Sequence, residues 1–285
     1  MIRIAITGSS GLIGSALRRS LATAGAEILR LPHDPAQWIP PQLERLDAVV
    51  HLAGESLATG RWTPDKKLRI AESRTKPTAA LATLLANLTH KPKVFISASA
   101  IGIYGNRGDE SLTERAEPGT GFLPETVRAW EAAAAPASAA GIRVVHPRFG
   151  VVLSPDGGAL KKMLPIFRAG LGGRLGNGRQ WMSWISLRDA VAALAFLMEH
   201  EDFAGPINVV APQPVRNAEF TRALAAALHR PAILPAPAFA LRAAFGEMAD
   251  AALLSSTRVL PEILLAEDFR PQDPNLPEAL AAMLH

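Results

Sequence analysis

The chain has 285 residues, 48% of them apolar and 20% charged, enough for one large or two modest globular domains and too hydrophobic for a disordered chain. Thirty Lys plus Arg against 26 Asp plus Glu leave a formal charge of +4, a surplus that suits an anionic small molecule and falls short of a nucleic-acid footprint. There is no cysteine, which excludes disulfides, thiolate metal sites and a cysteine nucleophile.

The opening MIRIAITGSSGLIG has neither the long apolar core nor the small-residue cleavage site of a secretory leader, and no later apolar run approaches the roughly 20 residues of a membrane span. A soluble, cytoplasmic protein is expected. Residues 2–7 form a short β-branched run closed by glycine, the pattern of a strand buried on both faces of a parallel sheet. Ile13, Leu17 and Leu21 then recur at helical spacing up to Gly25, a helix C-cap residue. Further strands are predicted at 26–31, 47–52, 93–97, 142–153 and 207–210, with helices at 63–87, 125–140, 187–200, 217–229 and 237–254. This alternation gives an α/β fold with a doubly wound parallel sheet. Residues 1–150 plus 187–211 would form the dinucleotide domain, and 151–186 plus 212–285 a smaller C-terminal substrate lobe. The glycine-rich stretches at 157–158 and 170–178 suit loops around a ligand.

Gly8, Gly11 and Gly14 stand between the first strand and the first helix. In that position the first glycine permits the tight turn, the second lets backbone approach a pyrophosphate, and the third lets the helix pack on the strand, while the helix N-terminus offers free N–H groups. Ser9 can add a hydroxyl, and Leu12 and Ile13 would contribute backbone amides. At the end of the second strand stands Arg30-Leu31-Pro32-His33-Asp34. Pro32 ends the strand and leaves His33 nearest the ribose with Arg30 close by, which favours NADP, with NAD possible.

TGSSGLIG at 7–14, DAVVHLAGES at 47–56 and SASAIGIYG at 97–105 resemble the extended short-chain dehydrogenase/reductase superfamily, with its Rossmann-type fold. More narrowly, AESRTKPTAAL at 71–81, RFGVVLSPDGGAL at 148–160, GNGRQWMSWISLRDA at 176–190 and NVVAPQPVRNAEFTRALAAALHRPA at 208–232 resemble the atypical group called epimerase family proteins, which carry a C-terminal domain of unknown function. The resemblance implies that Ala53, Gly54 and Glu55 line the adenine-ribose side, that His33 replaces the group's usual arginine, and that Arg74 reaches a phosphate.

It also implies hydride transfer assisted by a Ser-Tyr-Lys set, in which a tyrosine hydroxyl exchanges a proton with the substrate oxygen. Ser97 or Ser99 matches the serine, but the tyrosine and lysine positions hold Leu123 and Val127. Three explanations stay open. Tyr104, Glu125, Arg128 or Glu131 could serve as acid or base, with Glu131–Arg128 read otherwise as a surface pair. A polarising donor such as Ser99 could suffice with a proton from water. Finally, the chain could bind NADP(H) without turnover, as a sensor or regulator. Trp181, Met182 and Trp184 would face the nicotinamide, or else form a packed cluster joining the lobes. Arg148 and Asp189 could pair. His51 reads as a core residue, and His90, His146, His200 and His229 lack the i,i+4 spacing of a zinc site. The expected function is that of an NADP(H)-binding oxidoreductase or nucleotide-sugar-epimerase-like enzyme. Its partner would be a small-molecule substrate, with no nucleic acid and no membrane, and its oligomeric state is left open.

Overall fold

The computed structural model describes residues 2–57 and 60–284; the end residues Met1 and His285 of the expected domain ranges lie outside it. Six parallel strands, β1 (Arg3–Thr7), β2 (Glu27–Arg30), β3 (Ala48–His51), β4 (Val94–Ser97), β5 (Arg143–Phe149) and β6 (Gly205–Val209), run in the order β6-β5-β4-β3-β1-β2. A seventh short strand, Ser99–Ala100, also pairs with β5. Every pairing is parallel, so each connection crosses a face of the sheet. The order reverses between β1 and β3, and the sheet opens a crevice there, outside the carboxyl ends of the strands.

The strands read as continuous apolar runs because both faces are covered. On one face Ile6, Val50, Ile96, Val145 and Val209 pack with Leu17 and Leu21 of α1 (Leu12–Thr23) and Leu194 and Leu197 of α4 (Leu187–Glu199). On the other, Ala5, Val49, Phe95 and Val144 meet Leu81 and Leu85 of α2 (Pro64–Ala86). The helix α3 (Phe122–Ala132) packs beside α2 on that side. At the carboxyl ends the character changes, and Thr7, His51 and Ser97 lie in register across β1, β3 and β4.

A second core gathers Leu153, Leu160, Leu164, Phe167, Trp184, Phe220, Leu224, Leu276 and Leu280. Several expected boundaries shift. The strand predicted over 142–153 divides at Gly150, where a Cβ would lie 2.6 Å from Ser183 O. Beyond it Val151–Ser154 pairs with Trp184–Ser186 instead of the main sheet. The helix predicted over 125–140 breaks at Ala133–Ala134 ahead of Pro136. The helix predicted over 237–254 stops at Phe245, because Gly246 adopts φ +62°. Between the two glycine-rich stretches, Gly158–Arg168 is a helix that the sequence reading did not name, and it buries Leu160, Leu164 and Phe167. Among the described residues no helix is long and apolar enough to cross a membrane.

Candidate functional site: a glycine-loop cradle and a buried polar chain

The turn after β1 is built on glycine for steric reasons. Gly8 has φ +64°, and a Cβ there would lie 2.8 Å from Ala53 N; at Gly14 it would lie 2.2 Å from Gly8 O. Gly11 meets only Gly8 O, at 3.2 Å, so its missing side chain leaves room on the outer side of the loop. Gly11 is the N-cap of α1 and makes no side-chain cap bond. The first-turn N–H groups of Leu12 and Ile13 therefore carry the helix dipole without a capping side chain. With Gly8 and Gly14 closing the turn and no side chain at Gly11, the free first-turn N–H groups at the sheet's switch point fit an anion such as a dinucleotide pyrophosphate.

Around the cradle, Thr7 Oγ1 accepts from Leu52 N at 3.2 Å and fixes the exit of β3. Ala53 is buried. Glu55 N donates to Ser73 Oγ at 3.2 Å, and Glu55 O accepts from Arg74 Nη2 at 2.9 Å. Arg74 also donates to Ile70 O at 2.9 Å and stacks 5.3 Å from the Trp130 ring, lying within 3.6 Å of a Cβ built on Gly54. It clamps the 53–55 segment with its donors turned to backbone carbonyls. The Glu55 carboxylate is held below the usual carboxylate range by its hydrogen bond from buried Lys66. At the end of β2, Asp34 is occupied in capping, accepting from Ala36 N at 3.0 Å. His33 is exposed. Arg30, which the sequence put close by with His33 nearest the ribose, donates from Nε to Ser9 Oγ at 3.2 Å, so its guanidinium is moored to the glycine loop.

The residues expected to handle protons fall into a different arrangement. Leu123 and Val127, which the sequence put at the dyad positions, pack on Gly102, within 3.7 and 3.9 Å of a Cβ built there. One helical turn on, Glu131 accepts from Ser99 Oγ at 2.5 Å and forms a two-pronged pair with Arg148, at 2.8 Å from Nε and 2.9 Å from Nη2. Arg148 Nη1 donates to Tyr104 Oη at 3.0 Å, and Tyr104 donates to Asn208 Oδ1 at 2.7 Å. This continuous chain corrects two expectations. Glu131 pairs with Arg148 in the interior, not with Arg128 at the surface. Arg148 does not pair with Asp189, whose carboxylate accepts Gln272 N and Asp273 N, each at 2.8 Å. Glu125 lies exposed in the first turn of α3. Tyr104 is fully buried, and burial pushes its hydroxyl above the usual phenol range. Burial works against Glu131's charge, but Arg148 prevails and holds its carboxyl below the usual range.

Ser97 is fully buried and its Oγ has no partner. His51 is likewise buried and shares a 2.7 Å hydrogen bond through Nδ1 with Thr7 Oγ1, while its Nε2 has none. Burial lowers its pKa to about 4, so it is a neutral core residue. Trp184 is fully buried in the second core and donates to Gln213 O at 3.1 Å, as the packed-cluster alternative requires. Met182 and Trp181 are half-buried. Among the described residues no group of three or more His, Asp or Glu is placed to hold a metal ion.

A switch-point glycine cradle on a parallel, helix-covered sheet defines a Rossmann-type α/β protein. The chain belongs to the NAD dependent epimerase/dehydratase family, which residues 4–211 match, and residues 236–283 match a domain of unknown function, DUF1731. An epimerase family protein of Mycobacterium bovis is 43% identical over 290 residues, covering 97% of this chain and 96% of its own. The structure of human epimerase family protein SDR39U1 with NADPH has a TM-score of 0.93 at 31% identity, covering 99% of both chains. The nucleoside-diphosphate sugar epimerase from Corynebacterium glutamicum has a TM-score of 0.83 at 37% identity, covering 99% of this chain and 58% of that one.

Proposed function

We propose that this chain is an NADP(H)-binding, epimerase-like oxidoreductase that acts on a small organic molecule in the cytoplasm without a Tyr-x-x-x-Lys pair. The observation that carries the reading is the uncapped N-terminus of α1 behind Gly8 and Gly14, whose Cβ positions are closed by backbone, and Gly11, whose missing side chain leaves the loop open on its outer side. A human relative of the same family and chain length is known with NADPH. Gly8, Ser9, Gly11, Leu12, Ile13 and Gly14 would hold the pyrophosphate, and Ala53, Gly54 and Glu55, braced by Arg74, would bound the adenosine side. Arg30 would meet the 2′-phosphate, because it is moored to Ser9 while the Asp34 carboxylate is committed to Ala36 N. His33 stands at the rim. When bound, the nicotinamide supplies a hydride donor or acceptor.

What the chain's own residues do to protons follows from the Ser99–Glu131 bond. With its hydrogen directed to Glu131, Ser99 offers a lone pair, so it orients a donor such as a substrate hydroxyl rather than polarising a carbonyl. Tyr104, enclosed between Arg148 and Asn208, positions Arg148 and is withdrawn from proton exchange at the cleft. The apolar Leu123 and Val127 also favour a second reading, a non-catalytic NADP(H)-binding sensor. Mixing with NADPH should enhance and blue-shift its fluorescence; absence of any such change would remove the cofactor reading. Oxidation of bound NADPH across a panel of carbonyl compounds would establish turnover, whereas binding with no oxidation or epimerisation would establish the sensor.

A further inference from the structure

Two guanidiniums lie over the indole ring of Trp181, with Arg216 Cζ 4.5 Å and Arg258 Cζ 4.6 Å from the ring centroid. The two arginines are not equivalent. Arg216 is fully engaged, donating to Asp109 Oδ1 at 2.9 Å and to the Arg179 carbonyl. The Arg258 side chain makes no hydrogen bond and no ion pair among the described residues, and its Nε is buried without an acceptor. Nearby carboxylates are occupied. Asp109 is shared by Arg216 and by Trp181 Nε1, at 2.8 Å. Glu110 takes both prongs of Arg107, at 2.8 and 2.7 Å, and Glu219 accepts the Arg216 backbone N–H at 2.7 Å. Asp109 thus serves Arg216 and lies in the field of Arg179, and among the described residues no carboxylate pairs with Arg258.

A half-buried guanidinium without an anion is costly, and an indole face offsets only part of that cost. The complement of its planar fork is an oxyanion held by two parallel hydrogen bonds. The segments that build the cluster are rigidly joined. Trp181 N donates to Ser256 Oγ at 3.0 Å, Ser256 Oγ to Gly108 O at 2.6 Å, and Thr257 Oγ1 to Gly105 O at 3.0 Å. Two residues on, Ser183 O accepts Val151 N at 2.9 Å, which ties the cluster to the carboxyl end of β5. This is the side of the sheet where α/β proteins bind ligands.

We propose that Arg258, backed by Trp181 and Arg216, anchors the phosphate or carboxylate group of a small-molecule ligand, at a site separate from the glycine-loop cradle. The site is defined by these side chains alone and does not rest on the dinucleotide reading. Tryptophan emission titrated with inorganic phosphate and, separately, with acetate, at ionic strength fixed with chloride, reads it directly. A saturable change is expected in the native protein, absent in Trp181→Phe. Arg258→Met should weaken it about tenfold or more, and Arg258→Lys should restore part of the affinity, because it keeps the charge and loses the fork. Tighter phosphate marks a phosphoryl ligand and tighter acetate a carboxylate. No saturable response to either anion overturns the proposal, as does an equal response in folded Arg258→Met or Arg258→Lys.

Discussion

Arg30 and His33 stand three residues apart at the end of β2, and only Arg30 is tied to the glycine loop. Arg30→Met should therefore weaken NADPH about tenfold while changing NADH little, as expected for one lost charge-assisted contact. His33→Ala should leave the NADPH/NADH affinity ratio unchanged; a ratio that falls in that variant would give the role to His33. His51 makes a pH prediction. Its folded pKa, about 4 against 6.5, is depressed, so the unfolded chain binds the proton more readily. Stability is full above about pH 6.5 and declines as pH falls toward 4, by about 3 kcal/mol from this residue. Urea unfolding of His51→Gln should lose that part of the slope. At this scale the glycines were legible because a buried strand running into glycine admits few structures. The Glu131–Arg148 pair was not. A charged residue inside the apolar run VVHPRF signals that a partner exists, but its identity depends on how α3 lies over β5.

Among the elements, α4 is held at both ends by charged side chains reaching across the fold. Arg143 donates to Leu197 O and Phe203 O, each at 3.0 Å, and to Met198 O at 3.1 Å, capping the last turn. At the first turn, buried Asp189 receives the N–H groups of Gln272 and Asp273 and so fastens the segment leading to the final helix, Leu276–Leu284. Asp189→Ala should cost about 3 kcal/mol, the loss of two hydrogen bonds to a buried carboxylate. Limited proteolysis should then cleave near 270–275 faster than in the native protein, and an unchanged cleavage rate would contradict this fastening. The main-sheet strands were readable from apolar runs between turn residues. The short pairings Ser111–Leu112 with Arg258–Val259 and Trp181–Met182 with Val215–Arg216 were not, since two-residue strands carry no periodicity.

For the whole molecule, the cradle joins the first strand, first helix and third strand, so a bound dinucleotide would add to the strand pairing and packing that already hold them together. Saturating NADPH at about 100 times its dissociation constant should add about 2.7 kcal/mol to the unfolding free energy, visible as a higher thermal midpoint. Gly11→Leu should abolish that gain yet fold, because only Gly8 O lies near its Cβ, at 3.2 Å. A native-like gain in this variant would place the cofactor elsewhere.

The amino-acid order alone determined the parallel sheet, the glycine-rich turn after the first strand and the family resemblance. Each of these is written in local patterns, a buried run, a turn, or a fixed helical spacing, that hold wherever the rest of the chain goes. Tertiary structure decided the partners of the isolated charges. It put Glu131 on Arg148, Asp189 on the tail, Arg30 on Ser9 and Arg258 on a tryptophan face with no acid beside it. Pairing among distant side chains depends on how helices and loops settle on the sheet, and no spacing along the chain encodes that distance.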